Sequence, residues 1–269
     1  MKKILSILVA GLLIIPAMAQ KTTVVVANSE AGPGVDSRWT SFLKENIIDG
    51  MSSLARLQVV NGSNIQGLSN NAAEAVNQLN QAGVNCYVTS RIDSFTNSYK
   101  TKNGKTTYDS KLEYSVVVVN VKDGSTITTF KNTGYGSSSK NYDEAYADAF
   151  TLVSSDLKKL ANRTFLIRGE VKALQDIHPK KGVQTLYVNV GSEVGVEAKV
   201  IFEVFKEVDI AGETIREKIG ELKVKEVKSA TLSLCTVTKN NKKIQEAYEE
   251  GLKLYVQSRP SKWENPLPF

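Results

Sequence analysis

Few residues in this chain could do chemistry together. His178, in Ile177-His178-Pro179, is the only histidine. A zinc site or a nucleophilic triad needs further ligands or a base and nucleophile around it. No cysteine or carboxylate cluster stands beside His178, so it reads as a loop histidine. Cys86 and Cys235 are the two cysteines, each inside an apolar strand-like run. Burial in such a run leaves a thiol protonated and inert. A disulfide requires Cα atoms within about 7 Å, and the two fall in segments of different character, so two free thiols are expected. Asp36, Glu45 and Asp49 share one amphipathic segment; Asp36 serves as its N-cap and the other two fall on a wet face, not as an acid–base pair. Gly32-Pro33-Gly34 and Gly134-Tyr135-Gly136 lack the strand, glycine-rich loop and lysine of a phosphate loop and read as turns. No catalytic residue, cofactor site or metal site is therefore expected.

The elements that would position such residues are clearer. Asp123-Gly124 sits between two β-branched runs, Lys111–Asn120 and Ser125–Gly134. A two-residue Asp-Gly loop favours φ > 0 at both positions and signals a β-hairpin. Val116–Val119 is apolar without alternation, as in a strand covered on both faces. Around this hairpin the pattern predicts strands at Thr22–Ala27, Leu57–Asn61 and Cys86–Phe95. It predicts helices starting at Asp36, over Ala72–Ala82 after an Asn70 or Asn71 cap, and over Glu144–Leu160. Thr96–Asp109 reads as an exposed polar connection with Asn103-Gly104 at its tip. Gly134–Lys140 reads as a flexible link.

From Phe165 the pattern becomes all-β. Strands are expected at Phe165–Leu174, Thr185–Val190, Lys199–Val208, Ile219–Val227, Thr231–Thr238 and Gly251–Gln257, with a short helix at Lys243–Glu250. Such spacing suggests a small barrel. The fold class is α+β: a mixed-sheet α/β sandwich over 20–162 and a small barrel over 163–259, followed by a proline-rich tail, 260–269. Residues 1–19 read as a signal peptide, with Lys2 and Lys3, an apolar run Ile4–Ile15, and Ala17-Met18-Ala19 before cleavage between Ala19 and Gln20. No cysteine follows that run, so a lipid anchor is not expected. No later stretch reaches the roughly 20 apolar residues of a membrane helix. The net charge is +6, two of the cations being Lys2 and Lys3. The rest are interspersed with acids, as in Lys223-Val224-Lys225-Glu226, and the pairs Lys180-Lys181 and Lys242-Lys243 sit in turns. This is not a nucleic-acid stripe.

Asn85–Ile92, the valine strand Val116–Val119 running to Gly124, and Glu144–Ala149 resemble the periplasmic domain of CsgG and LpoB and the N-terminal domain of TolB. Val188–Ser192, Gly195-Val196 and Ile219–Val224 resemble the C-terminal barrel of FlgT. The resemblance implies a cell-envelope setting, protein partners there, no nucleic acid, and head-to-tail oligomers or peripheral outer-membrane association as open alternatives. The sequence departs from CsgG in lacking the lipobox cysteine. Thr96–Asp109 and Gly134–Asn141 are short and polar, whereas a membrane strand takes ~9–11 residues of alternating character. The expected function is a non-enzymatic periplasmic binding or assembly module. The rivals are a CsgG-like secretion subunit and, behind it, a glycan hydrolase with two converging carboxylates. Thr22–Ala27 and Thr96–Asp109 are the expected strand-addition edges. Trp263, Leu267 and Phe269 on the tail either dock on a partner or fold back.

Overall fold

A computed structural model describes residues 21–69 and 71–259 and divides the chain into two units, the first ending at Thr164 and the second beginning at Phe165. The first unit runs β1 (Thr22–Val26), β2 (Glu30–Ala31), α1 (Arg38–Ser52), β3 (Leu57–Asn61), α2 (Ala72–Gln81), β4 (Cys86–Lys102), β5 (Lys105–Asn120), β6 (Thr126–Ser138) and α3 (Tyr142–Thr164). Its sheet has the order β3-β1-β4-β5-β6, with β2 on β4. β1 is parallel to both neighbours, and β4–β5–β6 is an antiparallel meander. The 3.6-residue stripe of α1 buries Leu43, Ile47 and Met51, and that of α3 buries Ala145, Ala149, Val153 and Leu157. On the opposite face, α2 is capped by Asn71, whose side chain accepts from the N–H groups of Ala73 and Glu74. It covers Val25, Tyr87 and Val121.

Four expectations are corrected here. Val116 and Val118 are fully buried, but Val117 and Val119 are only half-buried, because the α2 cluster does not reach them. The ribbon is covered on one face, not two. The two-residue turn is not at Asp123-Gly124. Residues 121–125 form a five-residue connection in which Gly124 N–H donates to Asn120 O (2.8 Å), and of the two only Gly124 has positive φ. The tight Asn-Gly turn lies at Asn103-Gly104, with φ of 52° and 74°. Thr96–Asp109 is therefore no loop: Thr96 pairs with Lys111 and so on to Lys102 with Lys105. Lys100, Lys102 and Lys105 punctuate this strand pair. The expected edge strand Thr22–Ala27 is interior, flanked by β3 and β4.

The link 134–140 is corrected as well. Gly134–Ser138 belongs to β6, and its glycines exist for close approach. A Cβ on Gly134 would sit 2.7 Å from Ala149 O, and one on Gly136 would collide with the backbone of Ala145 and Ala149. Small residues on both sides let α3 lie directly on β6.

The second unit is a closed barrel of β7 (Arg168–His178), β8 (Gly182–Val188), β9 (Ile201–Ile210), β10 (Glu213–Val227), β11 (Ser233–Lys239) and β12 (Leu254–Ser258), in the order β10-β11-β8-β7-β12-β9. Alternation along each strand points Leu186, Val188, Phe202, Val204, Leu222 and Val256 inward. The short helix α4 (Asn241–Glu249) adds Ile244 and Ala247 to that core. Glu221, 5% exposed, is held by Lys218 and Lys239 at 2.9 Å and Arg259 at 3.1 Å. The hydrogen bonds from Lys239 and Lys218 hold its carboxyl down at about 2.

Two outcomes follow. Gly136→Ala should lower stability by about 1–3 kcal/mol, the usual cost of forcing extra volume into a packed contact, read as a lower urea midpoint with an unchanged slope. A depressed carboxylate stabilises the fold above its unfolded pKa, and that contribution disappears as pH falls through the folded value. Stability to thermal unfolding of the native chain should fall from about pH 5 towards pH 2, and Glu221→Gln should remove the part due to this residue. An identical pH profile for the two proteins would refute that assignment.

Candidate docking site

The site is built from three features: an interrupted neighbour, a bulge and a strip of rings. β2 pairs only with Arg91–Ile92 of β4. Gly32 N–H donates to Ile92 O (2.7 Å), and a Cβ at Gly32 would lie 2.7 Å from Asp93 O. Pro33 then supplies no N–H, and Gly34 turns with φ +76°. The chain leaves the sheet after two residues, so Gly32-Pro33-Gly34 is the device that ends β2. Beyond that point β4 has β5 on one side and no strand on the other among the described residues.

The register shows which backbone groups face the gap. Below the shift between Ile92 and Ser94, Val88 and Ile92 offer their carbonyls to Ala27 and Gly32, away from β5. The extra residue, Asp93, exchanges the parity of the strand. Above it, Thr96, Ser98, Lys100 and Lys102 turn towards β5, and Phe95, Asn97, Tyr99 and Thr101 turn outward. These four present N–H and C=O groups that have no backbone partner among the described residues.

Beside this edge runs a strip of aromatic rings. α1 contributes Trp39 and Phe42, β4 contributes Phe95, and α3 contributes Tyr142, Tyr146 and Phe150 one turn apart. Trp39 lies 5.3 Å from Phe95, 4.8 Å from Tyr146 and 5.4 Å from Phe42 between ring centroids. Tyr146 continues to Tyr142 (6.2 Å), and Tyr142 to Tyr108 (5.0 Å). Asn97 Nδ2 donates to Tyr146 Oη (2.7 Å), tying edge to strip, and the Arg38 guanidinium lies 4.9 Å from the Trp39 ring centre. Phe42 is 47% exposed and Tyr99 68%. Rigid rings with polar tips beside an open strand edge suit an extended peptide better than a reaction.

The singled-out residues fall elsewhere. His178 ends β7, where its Nδ1 accepts the backbone N–H of Lys180 (3.1 Å) and Lys181 (3.3 Å), a turn-shaping role. Cys86 and Cys235 are buried and free; burial pushes their thiols up to about 11 and about 12. Asp36 accepts from Arg38 N–H (2.9 Å) and pairs with its side chain, while Glu45 and Asp49 are exposed. Asp123 accepts from the hydroxyl and N–H of Ser125, which hold its carboxyl below the ordinary range. Ala19, Gln20, Trp263, Leu267 and Phe269 lie outside the described residues. No group of three or more metal-ligating side chains occurs among the described residues. Two carboxylates do converge. Asp109 accepts from Ser137 Oγ (2.8 Å) and Asp148 from Ser137 N–H (3.1 Å), beside a cavity of about 480 Å3. One serine donates to both and Lys100 faces Asp109 at 3.6 Å, so the trio ties β5, β6 and α3 together.

No protein-family model and no curated protein matches the chain. Among solved structures it is similar to a lipoprotein from Neisseria meningitidis at 16% identity and TM-score 0.38, covering 52% of this chain and 99% of that one. It is similar to PelC from Paraburkholderia phytofirmans, a dodecamer, at 12% and 0.34, covering 53% and 90%. The C-terminal domain of LpoB from Salmonella enterica matches at 12% and 0.29, covering 48% and 93%. LpoB is one of the families the sequence resembles. At these identities and TM-scores the likeness carries no functional argument.

Proposed function

We propose that this chain is an exported, non-enzymatic binding module of the bacterial cell envelope that receives an extended segment of a partner protein as an added strand along the upper part of β4. The observation that supports this is the outward backbone of Phe95, Asn97, Tyr99 and Thr101 beside the aromatic strip. An edge with unpaired backbone is a template for pairing, and strand addition draws affinity from backbone bonds and selectivity from neighbouring side chains. The strip supplies those side chains: aromatic rings dominate the energetic centres of protein interfaces.

The test uses the full chain in its native cells. A photo-crosslinking residue replacing Tyr99 should capture a discrete envelope protein. Asn97→Pro removes an outward N–H without touching the ladder to β5, a substitution an edge tolerates. Each backbone bond contributes about 0.5–1.5 kcal/mol net, and the ring also blocks approach, so capture and affinity for the purified partner should fall about tenfold or more. Unchanged capture in Asn97→Pro, or capture nowhere along residues 95–101, would contradict the proposal.

A further inference from the structure

Most cations of the barrel unit have a carboxylate. Lys172 and Lys253 share Glu170, Lys206 and Lys243 share Glu217, Lys218 bridges Glu203 and Glu221, and Lys228 meets Glu226. Lys180, Lys181 and Lys242, like the scattered Lys199, Lys223 and Lys225, have no ion pair among the described residues, but only the first three come together, lining one solvent-open groove of about 830 Å3 with Lys243. Two Lys-Lys pairs far apart in the sequence are thus brought to one place, and the fold is built to do it. His178 Nδ1 holds the turn that carries the first pair. Gly182, at φ +84°, lets that turn approach the start of α4 so closely that a Cβ would lie 2.8 Å from Lys242 N. Asn241 Nδ2 closes the clasp on Val183 O (2.5 Å).

Gathering like charges opposes folding unless an opposite charge answers it. Within the groove the answer is incomplete: Glu246 is the acid of its lining, and Glu217, shared with Lys206 outside it, reaches only Lys243 of the four lysines. We propose that this groove binds the phosphate groups of an anionic lipid surface. Four ammonium groups along an open rim match a field of phosphates, as basic clusters do at anionic membranes. An enclosed site with converging donors would suit a single small anion instead. This inference uses only the second unit and stands independently of the β4 edge.

Vesicles of phosphatidylcholine alone, and with phosphatidylglycerol, should be sedimented with the full chain at about 0.1 M salt, one Debye length of about 10 Å. Binding is expected only to the anionic vesicles and should weaken as salt rises. Each lysine near such a surface contributes about fivefold, so Lys180→Glu with Lys242→Glu should lose well over tenfold. Lys223→Glu with Lys225→Glu, the same charge change outside the groove, should lose less than about threefold. Circular dichroism establishes that both variants fold. No binding to anionic vesicles, equal losses in the two variants, or saturable binding of inorganic phosphate without vesicle binding would each overturn the proposal.

Discussion

The contact between β6 and α3 is the constraint on which the first unit depends. Gly134 and Gly136 face Ala145 and Ala149 with no room for a Cβ on the strand. Packing this close keeps the helix on the meander, and Ser137 adds hydrogen bonds to Asp109 of β5 and Asp148 of α3. With α3 fixed, Tyr146 and Phe150 stand against Trp39, Tyr146 also against Phe95, and Tyr142 carries the line on to Tyr108. The aromatic strip is thus a consequence of two small residues on a strand and two on a helix.

The two units solve the edge problem differently. The barrel closes on itself, and closure removes unpaired backbone. What it can offer a partner is side chains, and three lysines without an ion pair among the described residues, Lys180, Lys181 and Lys242, meet in one groove. The open sheet retains edges. β2 withdraws from β4 after two residues, and the bulge at Asp93 re-aims the backbone above it. The function proposed for the first unit accordingly rests on main-chain groups framed by rings.

Much of this fold was legible in the sequence. The helix after Asn71, the strands at Leu57–Asn61 and Cys86–Phe95, and six strands from Phe165 onward follow from periodicity and caps; the helix after Asp36 follows from periodicity alone, because its N-cap is Ser37, without a side-chain bond, and not Asp36. The site was not. Thr96–Asp109 is polar, and a solvated ribbon lacks the apolar alternation that marks a half-buried strand; the Asn103-Gly104 turn was its one local signal. Asp123-Gly124 misled because Asn120, Asp123 and Ser125 satisfy one another within a longer loop. Gly134-Tyr135-Gly136 has the composition of a link, and only the helix lying on it reveals a packing role. Trp39, Phe95 and Tyr146 were readable as apolar positions, but their meeting is a product of tertiary structure.

A partner strand can add to upper β4 only if its outward backbone is unpaired. Amide hydrogen exchange on the isolated chain, resolved by residue, tests this directly. Thr96, Ser98 and Lys100 should be protected by β5, while Asn97, Tyr99 and Thr101 should exchange near the rate of solvent-exposed amides. Equal protection of the two sets would mean that this edge is already occupied and would contradict the account.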